Sequence, residues 1–178
     1  MMKKRTLCSL CFVLVFCSGF AQLHPVPNES NVHFTIKNFG FNVDGLFSGL
    51  EGDIRFNPDS PSAARFQVSL NAASINTDNS IRDGHLRDED YLDVKNHPRI
   101  QFLSENVRAM NKKGSFMMTG KLSIKNKTKE ISFPFTALPS GNGYLFAGSF
   151  RISRRDFDVG GSSTVSDNLT VNLNVLAR

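Results

Sequence analysis

SIRDGHLRDEDYLDVKNHPRIQF, Ser80 to Phe102, is the charge-dense, helix-permissive segment of a chain otherwise made of alternating apolar and polar residues. Asp83 is placed to cap a short helix whose apolar residues are Leu86 and the Tyr91-Leu92 pair. His97-Pro98 then forces the chain out of helix, because the residue before proline is pushed to extended geometry. Ile100 and Phe102 restart a period of two. A helical insert of about 79–93 thus separates two strand runs. It needs somewhere to lay its apolar side, and the end of a barrel is one such place.

Working outward, the period of two is strong on both sides. Val32, Phe34 and Ile36 alternate with His33, Thr35 and Lys37. A glycine-punctuated stretch follows, with Phe41, Val43, Ile54 and Phe56 on the inner side, and Gly45, Gly49 and Gly52 allow the coiling a small closed sheet requires. Ala64, Phe66, Val68 and Leu70 form the next apolar row. After the insert come Phe116, Met118, Gly120, Leu122 and Ile124, then Ile131, Phe133 and Phe135, then Phe146, Gly148, Phe150 and Ile152. The last row is Leu169, Val171, Leu173 and Val175. Gly141-Asn142-Gly143 and Asn126-Lys127 read as hairpin turns. The pattern predicts an all-β fold, a single antiparallel, roughly eight-stranded barrel with one short helical insert; a sandwich shares the same pattern.

The first residues stand apart. Lys3, Lys4 and Arg5 precede an apolar run from Leu7 to Phe20, and Gly19-Phe20-Ala21 supplies the small residues of a cleavage site. Residues 1–21 read as a secretory signal peptide. Taking 21 from 178 residues leaves a domain of 157, residues 22–178. Cys8, Cys11 and Cys17 all lie in the leader, so the mature chain has no disulfide framework and no thiolate metal site. Without Lys3, Lys4 and Arg5, 18 basic residues face 16 acidic ones and the net charge falls from +5 to +2. No basic stripe with interleaved aromatics points to nucleic acid. No later segment is long and apolar enough to span a membrane as a helix. The expected location is the periplasm or outside the cell.

The inner face carries the chemistry. Removing Phe12, Phe16 and Phe20 from 16 phenylalanines leaves 13, with two tyrosines and no tryptophan. An eight-stranded barrel is just wide enough to be filled or to hold one small ligand, and periodicity alone leaves both open. Arg82, Asp83 and His85 are an acid–base or metal-ligating set by residue type, or a cap and ion-pair network pinning the insert to the barrel. Consecutive Asp88-Glu89-Asp90 point in different directions and read as a solvated face. His24, His33 and His97 fit no ligand spacing. Gly160-Gly161-Ser162-Ser163 lacks the order of a nucleophile elbow. Arg154 and Arg155 read as partners of Asp156 or of a ligand headgroup. No cofactor and no metal are expected.

Several of these stretches together resemble the YceI-like family of exported bacterial proteins. The resemblance runs over essentially all of residues 22–178. It is carried by Ser74-Ile75-Asn76-Thr77-Asp78-Asn79 followed by Arg82-Asp83-Gly84-His85-Leu86, by Asp90-Tyr91-Leu92-Asp93-Val94, by His97-Pro98-Arg99-Ile100-Gln101-Phe102, by Gly120-Lys121-Leu122-Ser123-Ile124-Lys125 and by Phe150-Arg151-Ile152-Ser153-Arg154-Arg155-Asp156-Phe157. Tyr91-Leu92 replaces the family's double aromatic. Asn126 and Asp158 stand where glycine is usual. The resemblance implies a lipocalin-like barrel whose interior holds a polyisoprenoid, quinone-like or similar long-chain lipid, with no catalysis.

On that reading the pocket wall comprises Phe34, Phe41, Phe66, Phe102, Phe116, Met118, Phe133, Phe146 and Phe150, while Arg82, Asp83, His85 and Leu86 form a structural motif. A homodimer is carried as an open partner. The competing readings are a small exported enzyme using Asp83 and His85, and a packed barrel acting as a protein-interaction module.

Overall fold

The computed structural model describes residues 22–161 and 164–178. The leader proposed for residues 1–21, together with Ser162 and Ser163, lies outside the described residues. Ten strands make one sheet: β1 (Gln22–Leu23), β2 (Asn31–Asn38), β3 (Phe41–Phe47), β4 (Glu51–Arg55), β5 (Arg65–Asn71), β6 (Arg99–Ala109), β7 (Ser115–Ile124), β8 (Lys127–Ser140), β9 (Gly143–Ser153) and β10 (Val165–Ala177). Among the described residues one α-helix, α1 (Ser80–Arg87), lies between β5 and β6. The order across the sheet is β1-β4-β5-β6-β7-β8-β9-β10-β2-β3, and every neighbouring pair is antiparallel.

The count corrects the expected eight, and the reason is local. The glycine-punctuated stretch read as one strand is two, because the strand is interrupted at Ser48-Gly49-Leu50, where Gly49 takes φ +69°. The other addition, β1, is two residues long and too short to show a period.

The expected closure is also incomplete. β3 and β4 follow one another in sequence but do not pair, so the sheet is a curled half-barrel with a seam. Two short patches reach across. Leu46 and Asn76 exchange backbone hydrogen bonds of 2.9 and 3.0 Å. At the other end, the His24 N–H donates to the Arg178 carbonyl and the Val26 N–H to the Leu176 carbonyl.

Curling requires close approach on the inner face, and two glycines supply it. Gly45 lies directly opposite Phe34, whose ring occupies the space a side chain would need: a Cβ there would meet the ring at 2.4 Å. A Cβ on Gly120 would meet the Phe102 ring at 2.6 Å. At both places a phenylalanine ring takes the space that the missing side chain leaves. A bulge at Glu105, where the β6–β7 register shifts, adds local twist.

The helix is shorter than expected. Its N-cap is Asn79, whose side chain accepts from the Arg82 N–H at 3.0 Å, and not Asp83, which lies inside the first turn. It stops at Arg87 because Asp88, Glu89 and Asp90 would stack like charges against the negative end of the helix dipole. Residues 88–98 continue as turns, with Asp93 in the left-handed region at φ +47°.

The interior divides into two parts. At one end Phe56 packs against Phe66, Phe116, Phe135, Tyr144 and Phe146 with ring centroids 5.1–6.3 Å apart, several edge to face. Such geometry favours the rings beyond their burial alone. This aromatic plug fills its end of the barrel. The other end is hollow.

Candidate functional site

A cavity of about 290 Å³ occupies the hollow end. Its floor is the inner side of the plug, Phe66, Phe135 and Phe146. Its wall comes from alternate residues of successive strands: Val32, Phe34 and Ile36 of β2, Val43 and Phe47 of β3, Phe150 and Ile152 of β9, and Leu169 and Val171 of β10. Leu86 of α1, with Tyr91 and Leu92 behind it, covers one side. The wall residues Asn38, Val43, Arg82, Val159 and Val165 are only half-buried, and they lie where the β2–β3 turn and α1 meet the barrel. That end is the mouth. Such a surface offers a ligand dispersion and hydrophobic contact, with almost no hydrogen-bonding groups to fix a polar substrate.

Of the nine residues assigned to the wall from sequence, Phe34, Phe66, Phe102, Met118, Phe133, Phe146 and Phe150 line this cavity. Phe133 and Phe150 stack at 4.5 Å, and Phe102 leans on Phe133 at 5.9 Å. Two are placed elsewhere. Phe116 belongs to the plug, stacked at 5.4 Å on Phe135 behind the floor. Phe41 has the inward parity of Val43 but stands beyond the rim, 78% exposed, because β2 and β3 overshoot the cavity. Parity gives the face a residue occupies and not its depth along the barrel. The aliphatic half of the wall went unassigned for the same reason, since nothing in an alternating row distinguishes a valine over a void from one in a packed layer.

The Arg82-Asp83-Gly84-His85-Leu86 motif builds the lid. Asp83 is buried, and its carboxylate accepts from the Thr77 N–H at 2.9 Å and the Thr77 hydroxyl at 2.6 Å. Arg82 donates to the same hydroxyl at 2.7 Å and to the Thr77 carbonyl at 2.6 Å. Arg87 donates to the Ala73 and Ile75 carbonyls at 2.9 and 2.7 Å. Three side chains of the helix thus grip residues 73–77, the same segment that bridges the seam to β3. His85 is exposed, and neither it nor Asp83 lines the cavity. Among the described residues no three His, Cys, Asp or Glu side chains form a group that could hold a metal ion.

Arg154 does the equivalent work on the opposite side of the mouth. It is 6% exposed and donates to the carbonyls of Val159, Gly160, Gly161, Val165 and Ser166 at 2.8–3.2 Å. Its acidic partner is Asp167 at 3.2 Å, which Arg155 also reaches, rather than the adjacent Asp156. Sequence reading missed the roles of Thr77, Arg87 and Arg154: Arg87 and Arg154 hold backbone carbonyls, which leave no trace in residue type, and Thr77 meets Asp83 and Arg82 largely through its own main chain and hydroxyl.

The YceI-like domain model matches residues 24–177. A UPF0312 protein of Pseudomonas paraeruginosa is 31% identical over 171 residues, covering 89% of this chain and 88% of its own. One from Pectobacterium atrosepticum is 30% identical over 149 residues, covering 79% and 76%. Among solved structures, Burkholderia cenocepacia BcnA superposes with a TM-score of 0.80 at 23% identity, over 85% of this chain and 98% of that one. A domain from Saccharophagus degradans described as polyisoprenoid-binding gives 0.71 at 12% identity, over 88% and 97%. At these identities the structural likenesses speak to the fold.

Proposed function

Since the chain belongs to the YceI-like family, we propose that it is a non-catalytic lipid-binding protein that encloses the apolar tail of a polyisoprenoid, quinone-like or similar long-chain lipid. The observation that carries this reading is the cavity of about 290 Å³, whose surface is almost wholly apolar. The polyisoprenoid-binding description of the related Saccharophagus degradans domain supports the choice of ligand class.

The energetics suit a tail. If tail and wall together withdraw roughly 500 Å² from water, the gross gain is about 12 kcal/mol. Association and ordering take back about 4 kcal/mol or more, which leaves affinities in the micromolar range. No polar contact is needed. Phenylalanine and methionine suit a branched, flexible guest, Met118 because its thioether adapts its shape. The cavity lies at the lower edge of the ~300–1,000 Å³ usual for small-molecule sites, so it holds one end of a long chain and leaves the remainder to emerge at the mouth.

We also propose that the protein is exported and that its mature form begins at Gln22. Intact-mass measurement of the secreted or periplasmic protein checks this, and a chain retaining Met1 would refute it. The binding reading is tested by native mass spectrometry and organic extraction of residues 22–178, followed by titration with farnesol and octaprenyl lipids. A co-purifying lipid or saturable binding is expected. A ligand-free protein that binds neither lipid would overturn it.

A further inference from the structure

The β2–β3 turn is built against the ordinary rules of turns. Asn38 pairs with Phe41, leaving Phe39 and Gly40 as a two-residue loop with φ +49° and +84°. A hairpin turn with both central residues at positive φ favours Asn-Gly, and a bulky side chain at the first position is unusual. Here that position holds a phenylalanine, 73% exposed, and Phe41 beside it is 78% exposed. The loop is nonetheless held in place: the Phe39 N–H donates to the Thr164 carbonyl at 3.2 Å, and the Thr164 hydroxyl donates to Asn38 at 2.8 Å. A turn that costs stability, projects two aromatic rings into water and is tied to its neighbour serves something other than folding.

Its position identifies the occupant. Asn38 and Val43, which flank the tip, both line the cavity at its mouth, and Phe41 continues the inward row past the rim. Ile81, 74% exposed, directly precedes Arg82, another residue of the mouth. Apolar side chains therefore stand outside the opening in continuity with the apolar lining. We infer that the Phe39-Gly40-Phe41 tip, with Ile81 of the lid, dips into the surface of a lipid bilayer and seats the cavity mouth against it, so that a tail passes between membrane and barrel without crossing water. Lys37, exposed two residues before Phe39, is a cation available to an anionic headgroup. The inference rests on the lipid-binding reading and is testable apart from it.

Because the chain has no tryptophan, Phe39→Trp is a reporter of its own surroundings. Residues 22–178, which carry every described strand and omit the apolar leader, are mixed with vesicles of phosphatidylethanolamine and phosphatidylglycerol bearing brominated acyl chains. The expected result is a blue shift with quenching. The double variant Phe39→Asn, Phe41→Ser should lose vesicle affinity by about tenfold for each phenylalanine, the change expected when one such side chain no longer leaves water. Its thermal midpoint should not fall, since asparagine suits the turn, and it should bind farnesol in vesicle-free buffer as the parent does. Unquenched emission with farnesol binding intact overturns the docking inference alone. Emission already blue-shifted without vesicles and dependent on protein concentration means a second copy covers the tip, which also overturns it. Vesicle docking without farnesol binding upholds the inference and removes the lipid-binding function instead.

Discussion

Valine to phenylalanine at two positions should move stability in opposite directions. Val43 lines the cavity near its mouth and is half-buried, while Val107 is fully buried and lies off the cavity, opposite Met118. The substitution adds roughly four carbons, each contributing at most about 0.8 kcal/mol if it leaves water for an unfilled space. At Val43 the ring enters the void, and after rotamer loss the protein should gain about 1 kcal/mol. At Val107 there is no room, and overpacking should cost about 1–3 kcal/mol. The same ring at position 43 takes space from the guest. A tail denied about 100 Å² of contact loses ~2.5 kcal/mol, or roughly seventyfold in affinity. Thermal or urea denaturation of both variants, with calorimetric titration of farnesol into Val43→Phe, measures all three effects. Equal destabilisation at both sites, or undiminished farnesol binding by Val43→Phe, would refute the division into a packed end and a hollow end.

Gly45→Ala should destabilise by about 1–3 kcal/mol and weaken farnesol binding, because its Cβ would displace the Phe34 ring toward the lumen; denaturation and titration of the same sample check both. Asp83→Ala should cost about 2–4 kcal/mol by leaving the buried Thr77 N–H and hydroxyl without their acceptor, whereas His85→Ala should lie within about 0.5 kcal/mol of the parent as a surface change. An equal loss at both positions would contradict the lid account. Asn126→Gly should raise stability by about 0.5 kcal/mol, since Lys125 and Asn126 both take positive φ in the two-residue β7–β8 turn. A lower thermal midpoint would contradict that.

Most of the strand pattern is legible in the sequence because one face of each strand is buried, which imposes a strict period of two. The inward rows from Val32 to Val175 read correctly on that basis. What escaped reading has a common cause: it depends on position along the barrel axis or on backbone partners. Phe41 and Phe116 share a parity with Phe34 yet lie outside the rim and behind the floor. The seam between β3 and β4 is invisible because pairing to Asn76 is made by main-chain atoms. Asp83 reads as a cap by residue type, but Asn79 takes that role and frees Asp83 to hold Thr77. Two departures from the family pattern, by contrast, are harmless on inspection. Asn126 and Asp158 both occupy the left-handed region, at φ +62° and +54°, which these side chains tolerate better than most.

The most direct test of the enclosed tail is methyl-resolved NMR of residues 22–178 during a farnesol titration. The shifts should be confined to cavity methyls such as Ile36, Val43, Ile152 and Leu169, with Ala137 of the packed end unmoved. Saturable binding that perturbs surface methyls and leaves those four unchanged would place the lipid outside the barrel and contradict the account.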